Sequence, residues 1–229
     1  MQTESDREAQ LIRLSVLFIV LFSQLSNATT ILGEKKYRDP KGDIDHNMKG
    51  GGCPWDGIDL AGMTIKKTDS EFIVTLEMTK EIKQSMGYRE YYFWLDYDPS
   101  RRRGYQPYNP SSVAWPNMYA DYRIFVSVDS NNWEGTTDTK IGIQDCHQSD
   151  CAQEYGIDYF IIVNVTIAGK KVIYSWPRVS LPKLDRSNHL LIGATTYYQL
   201  AHCNGEDDLP QWGDPAHEVR FKKMKQSNK

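Results

Sequence analysis

Tyr159-Phe160-Ile161-Ile162-Val163-Asn164-Val165-Thr166-Ile167 is followed by Ala168-Gly169-Lys170 and then by Lys171-Val172-Ile173-Tyr174-Ser175-Trp176. Nothing in this stretch recurs at the 3.6-residue spacing of an amphipathic helix. β-branched and aromatic residues on both sides of a short glycine-containing loop predict a β-hairpin. The same texture extends in both directions. Phe72, Val74, Leu76 and Met78 alternate with Ile73, Thr75 and Glu77, the period of a strand with one buried face. Tyr91-Tyr92-Phe93-Trp94-Leu95-Asp96 is rich on both faces and predicts a central strand. Tyr122–Val128 and His189–Tyr198 are further long runs, and Ile58–Ile65 is a weaker one broken by Gly62. Helix is confined to a turn at Leu181–Ser187 and a helix or loop at Met78–Met86. Many strands separated by turn signals, with almost no helix, predict an all-β fold of two antiparallel sheets packed face to face.

The composition narrows the function. Of 229 residues, 40% are hydrophobic and 25% charged, which excludes disorder throughout. Lys and Arg number 27 against 30 Asp and Glu, a net charge of -3. No overall cationic field exists to hold nucleic acid or an anionic membrane. The N-terminus carries the most apolar window, Leu14–Phe22, preceded by Arg13 and followed by the small residues Ser26-Asn27-Ala28. It is about half as long as a membrane-spanning helix needs to be. Residues 1–28 therefore read as a secretory signal peptide cleaved near Ala28, with an uncleaved N-terminal anchor as the alternative. Residues 29–36 follow as a linker, 37–221 as the sandwich domain and 222–229 as a basic polar tail. The expected location is secreted or at the cell surface.

All four cysteines, Cys53, Cys146, Cys151 and Cys203, follow the leader. An even count in an exported chain points to disulfides, and four cysteines allow three pairings. Cys146 and Cys151 bracket four polar residues and form the natural local pair, leaving Cys53 with Cys203. The competing zinc site, from Cys146, His147, Cys151, His202 and Cys203, lacks the close spacing of structural zinc ligands. Asn164-Val165-Thr166 matches a glycosylation sequon.

The order of short motifs carries a resemblance. Asp39-Pro40-Lys41-Gly42-Asp43 leads through a glycine-rich loop to Asp59, and then Tyr91–Asp98 reads YYFWLDYD. Gly104-Tyr105, Ala120-Asp121-Tyr122-Arg123-Ile124, Ser175–Leu181 and Asp208-Leu209-Pro210 follow. This order resembles the DOMON-like sandwich superfamily, and is most similar to its family-nine carbohydrate-binding modules and the C-terminal module of glucodextranases. The resemblance spans about residues 37–215. The glycine-rich Lys49–Cys53 loop and the Cys146–Cys151 loop depart from the pattern. It implies a secreted, non-catalytic jelly-roll domain whose relatives bind sugars, sometimes with structural calcium, while another branch holds haem.

Candidate site residues fall into three groups. Trp55, Tyr105, Tyr108, Trp115, Trp133 and Trp212 lie in predicted loops among Gly, Pro, Asn and Asp, where flat rings can stack on the C–H faces of sugars. The bland alternative is that these rings cap the ends of the sandwich. Arg103, with Arg101 and Arg102, lies beside Tyr105 and Tyr108 and can fork onto an acidic sugar or simply be solvated. Asp96 and Asp98 sit two apart at a strand end and, with Asp39 and Asp43, offer the oxygen ligands calcium prefers. An Asp-Pro turn is the structural alternative there. The reading allows a calcium ion to rigidify the loop around Asp96. Haem is disfavoured: no spacing among the Met and His residues singles out an axial pair. No catalytic motif is present, so the expectation is a binding module for a polysaccharide or glycan and not an enzyme. A glycoside-active enzyme, a haem-binding electron-transfer domain and a cell-surface interaction module are the alternatives.

Overall fold

The structure is a computed structural model, and it describes residues 30–39, 57–82, 87–102, 104–109, 112–113, 115–131, 136–146, 163–200, 203–211 and 214–222. The expected signal peptide and the apolar run within it lie outside these residues. Among the described residues no helix is long and apolar enough to cross a membrane.

The chain from Ile31 onward forms one compact unit built from strands. They are β1 (Ile31–Arg38), β2 (Leu60–Thr68), β3 (Glu71–Met78), β4 (Gly87–Asp96), β5 (Tyr108–Asn109), β6 (Ser112–Val113), β7 (Tyr122–Asn131) and β8 (Thr136–Asp145). After them come β9 (Asn164–Ala168), β10 (Lys171–Pro177), β11 (His189–Leu200), β12 (Cys203–Leu209) and β13 (His217–Arg220). A 3-10 turn (Arg178–Ser180) and one short helix, α1 (Pro182–Arg186), separate β10 from β11. The five-stranded sheet has the order β1-β2-β3-β10-β9, and the six-stranded sheet the order β12-β11-β4-β7-β8, with β13 also paired to β11. Every pairing among the described strands of these sheets is antiparallel, so the all-β two-sheet sandwich stands.

Alternation explains how the sheets meet. In β3 the buried residues are Phe72, Val74, Leu76 and Met78, the set the period-two pattern selects. From β4, Tyr91, Phe93 and Leu95 enter the same core. Phe93 packs edge-on to Tyr174 at 5.0 Å and stacks on Trp176 at 6.0 Å, and Trp176 in turn stacks on Phe72 at 5.6 Å. These rings carry much of the apolar area removed from water, and their edge and stacked contacts are the favourable geometries for aromatic pairs. Two phenol groups buried with them find acceptors. Tyr174 donates to the Tyr91 carbonyl at 2.6 Å, a bond from one sheet to the other, and Tyr91 donates to the Gly57 carbonyl at 3.0 Å. A buried hydroxyl without such a partner would destabilise the core.

The β9–β10 hairpin is where the sequence places it. Gly169 takes φ +57 in its turn, a conformation that β-carbon sterics disfavour in other residues. Residues 159–162, the start of the predicted strand, lie outside the described set. One boundary changes. Residues 29–36, expected as a linker, largely belong to β1, which pairs with β2 along its length. β1 alternates weakly because it is an edge strand with most of its side chains exposed.

The turn between β10 and β11 closes one end of the sandwich with ions rather than apolar groups alone. Leu181 and Leu184 point into the core. Beside them Asp185 receives Arg178 Nε and lies 3.6 Å from Lys67 Nζ. Lys67 is only 4% exposed and also donates to the carbonyls of Asp185 and Ser187, at 2.6 and 3.3 Å. Its ammonium sits 5.1 Å from the Phe72 ring centre and 5.5 Å from that of Phe221. Burial lowers its pKa, and Asp185 opposes that shift.

Candidate functional site

With Tyr91, Phe93 and Leu95 turned inward, the alternate residues of β4 line the outer face of the six-stranded sheet. Strand registers extend this into rows across the face. Glu206, Tyr197, Glu90, Ser127 and Lys140 form one row, and Asp208, Thr195, Tyr92, Phe125 and Gly142 the next. Gly193, Trp94, Arg123 and Gln144 make a third.

Half of this face is roofed. The described residues between β4 and β7 fold back over it; Tyr105 and Ala120 exchange backbone bonds within the roof at 3.0 and 2.7 Å, and the Asp121 N–H donates to the Leu95 carbonyl at 2.7 Å. Trp115, Met118, Ala120 and Tyr105 form a second apolar cluster with Trp94, Leu191, Cys146 and Ala216. Trp115 is fully buried and lies against Gly193; a β-carbon there would sit 2.7 Å from three atoms of its ring. Its indole N–H donates to the Pro210 carbonyl at 2.9 Å. Tyr105 stacks on Trp94 at 5.3 Å. This overturns the expectation that Trp115 and Tyr105 are loop rings offered to a ligand. Trp94 belongs to this cluster beneath the roof and not to the inter-sheet core. Glycine in the middle of a strand marks the close approach of something bulky, and Gly193 was the available signal.

Asp96 and Asp121 anchor the roof. Asp96 Oδ2 accepts from the Tyr119 N–H at 3.2 Å and Oδ1 from the Asp98 N–H at 3.0 Å, while Asp121 Oδ2 accepts from the Tyr97 N–H at 2.8 Å. Asp98 holds Arg101 at 2.6 Å and accepts from the Ser100 hydroxyl at 2.6 Å. These are the bonds of a turn. Asp39 lies elsewhere: its N–H donates to the Ala61 carbonyl, and its charge acts on Asp208, several residues along the sheet from Asp96. The structure therefore does not bring Asp39 to Asp96 and Asp98. Asp43 lies outside the described residues, and among those described no group of three or more His, Cys, Asp or Glu residues is arranged to hold a metal ion.

Burial lifts the Asp96 carboxyl to about 7, with Asp121 adding to the shift and the two backbone N–H groups opposing it. A carboxyl whose folded pKa lies above its unfolded value of about 3.9 binds more protons in the native state. Its contribution to stability is therefore greatest at low pH and fades as pH rises to about 7. Urea midpoints measured from pH 4 to 8 should carry this decline in the wild type, and Asp96→Asn should flatten it. Equal slopes for the two proteins would refute the assignment.

The rest of the face is polar and aromatic, with Thr195 and Ser127 buried in it and Tyr88 and Tyr197 half-buried. Arg123 Nη2 pairs with Glu90 at 2.8 Å, Nη1 donates to Gln144 at 3.2 Å, and the guanidinium lies 4.2 Å from the Tyr92 ring centre. Phe125 and Trp94 flank it at 5.2 and 5.5 Å. Burial raises the Glu90 pKa, and Arg123 and a hydrogen bond from Tyr88 oppose the shift. Tyr92 donates to Glu206 at 3.4 Å, and Thr195 donates to Asp208. Burial pushes the Asp208 carboxyl well up, with Glu206 as the next cause and Asp207 and Asp39 contributing. Tyr88 and Tyr197, both half-buried, meet edge to face at 6.2 Å beside this network. Such a floor combines flat rings with fixed donors and acceptors. None of these positions was singled out in the sequence, because only the cross-strand registers bring them together.

The remaining expected positions divide simply. Trp55, Arg103, Trp133 and Trp212 lie outside the described residues, and for Tyr108 only the strand backbone is described. Arg101 and Arg102 are exposed, with Arg101 paired only to Asp98. Of the methionines and histidines weighed for haem, Met63 is in the inter-sheet core and Met118 is under the roof. His189 faces Glu218 at 2.9 Å, and His217 stacks flat on Tyr37 at 3.9 Å. Cys146 is buried; the side chains of the other cysteines lie outside the described set. No family model matches the chain, and neither does any curated protein or solved structure.

Proposed function

We propose that this chain is an exported, non-catalytic binding module for carbohydrate, and that the ligand lies on the outer face of the six-stranded sheet at Tyr88 and Tyr197. The observation that carries the reading is the pair Tyr88 and Tyr197, set 6.2 Å apart beside Glu90, Arg123 and Glu206. Half-buried rings supply flat apolar surface for sugar C–H faces. Carboxylates and a guanidinium already held in place accept and donate to hydroxyls with little further ordering. Calcium is retained as a proposal for the Asp96 loop only. In a glycan array and affinity electrophoresis, run with and without chelator, the full chain should be retained by at least one polysaccharide. Alanine at Tyr88 or Tyr197 should weaken that retention about fivefold or more, the loss of roughly 1 kcal/mol of ring contact. No retention across the panel, or unchanged retention in both variants, rejects the reading.

One observation favours a second reading. Glu206 and Asp208 are two residues apart on one face of β12, and burial, with Glu206 as the next cause, pushes the Asp208 carboxyl well up. A carboxyl held protonated beside a second carboxyl is the kind of pair that glycoside hydrolysis uses. Release of reducing ends from a retained polysaccharide, lost in Asp208→Asn, would replace the non-catalytic reading with this one.

For the cysteines we propose the pairs Cys53–Cys203 and Cys146–Cys151. Cys146 follows the residue facing Tyr122 and Leu95, whereas Cys203 faces Leu200 at the Tyr88 end of the sheet. That separation is about 23 Å at the rise of a strand, beyond the reach of one disulfide. Of the two pairings that remain, the local pair across four polar residues, Cys146–Cys151, leaves Cys53 with Cys203.

A further inference from the structure

We infer that Asn164 is an N-glycosylation site and that its glycan covers the open edge of the five-stranded sheet. The inference rests on the proposal that the chain is exported. Asn164-Val165-Thr166 has the acceptor pattern, with valine and not proline between the two polar residues. Among the described residues β9 is the last strand of its sheet, paired on one side to β10. Val163 and Val165 turn inward and pack against the core, so the period of two puts Asn164 and Thr166 together on the outer face. Both are exposed. Asn164 lies opposite Ser175, and Thr166 opposite Ile173, so the neighbouring strand sets no bulky charged group beside either.

The outer face of the five-stranded sheet is the far side of the sandwich from Tyr88 and Tyr197. A glycan here therefore leaves the proposed binding face clear. The reaction uses a polyprenyl-pyrophosphate oligosaccharide as donor. The Asn164 amide nitrogen bonds to the anomeric carbon, the anomeric C–O bond to pyrophosphate breaks, and the pyrophosphate takes the electron pair while the amide gives up one proton. No oxidation is involved.

The covered edge is one that needs covering. Ile167 is 37% exposed, and among the described residues no strand pairs with β9 on the side away from β10. Exposed apolar edge strands recruit other strands unless something bulky or charged blocks them. β9 itself, Asn164-Val165-Thr166-Ile167-Ala168, has no Lys, Arg, Asp, Glu or Pro to do so.

The test is expression of the full chain in a eukaryotic secretory cell line, with the medium and cell fractions analysed before and after peptide-N-glycosidase. Asn27-Ala28-Thr29 also matches the sequon pattern, and cleavage after Ala28 removes Asn27, so variants assign the site. The secreted wild type should fall by the mass of a single glycan on digestion, and Thr166→Ser should do the same. Asn164→Gln and Thr166→Ala should be secreted without any shift. A secreted wild-type chain with unmodified Asn164 overturns the inference while leaving export intact. A shift that survives Asn164→Gln overturns it by placing the glycan at Asn27. An unshifted chain retained in the cytosol overturns both the inference and the proposal of export.

Discussion

Trp115→Ala should lower the free energy of unfolding by about 3–5 kcal/mol, the range for deleting a large buried aromatic side chain. The indole is fully buried, its ring lies against Gly193 and its N–H bonds to Pro210. Alanine leaves a cavity between the sheet and its roof, and removes the donor that the Pro210 carbonyl uses. Gly193→Ala attacks the same contact from below. Its β-carbon would meet the ring at 2.7 Å, so the ring must lift, at about 1–3 kcal/mol for overpacking. Urea unfolding of the two single variants and the double variant measures this directly. The double variant should lose less than the sum, because the alanine methyl occupies space the indole has vacated. Strict additivity, or a loss below about 1 kcal/mol in Trp115→Ala, would show that the ring is not seated as described.

Asp185→Ala should be of similar size, about 3–5 kcal/mol, for a different physical reason. Asp185 is the anion shared by Lys67 and Arg178, whose side chains are 4% and 9% exposed. Removing it leaves two cations desolvated side by side, with only carbonyls and the Phe72 and Phe221 rings in compensation. Lys67→Met in the Asp185→Ala background removes one stranded charge and keeps the aliphatic packing, so it should restore part of the loss. Denaturant midpoints of the wild type and these two variants check the expectation. A double variant no more stable than Asp185→Ala alone would mean that the cost lies in lost packing and not in buried charge.

Both predictions fall on parts of the molecule that the sequence showed unequally. β3 was plain because one face is dry and the other wet, so Phe72, Val74, Leu76 and Met78 stand out. β4 was correctly placed at the centre of a sheet, but for an incomplete reason. Its last four residues are buried on both faces because the roof covers the outer one, not simply because β11 and β7 flank it. The roof between β4 and β7 misled because its prolines, arginines and asparagines look like solvated loop. Nothing adjacent to Trp115 or Tyr105 reports that Gly193 and Trp94, far along the chain, complete their surroundings. The face bearing Tyr88, Tyr197, Glu90 and Glu206 was hidden for a related reason. Period two separates the faces of a strand, but which residues stand abreast on neighbouring strands depends on registers that only the assembled sheets fix.

The roof leaves one hydrogen-bonded strand and returns on the next, with Leu95 facing Tyr122 at its base. A segment whose ends are already held together lengthens at small entropic expense, roughly 0.6 kcal/mol for each doubling. Descendants of this chain can therefore extend or trim that canopy, and with it the footprint left open alongside, without disturbing the pleated layers beneath.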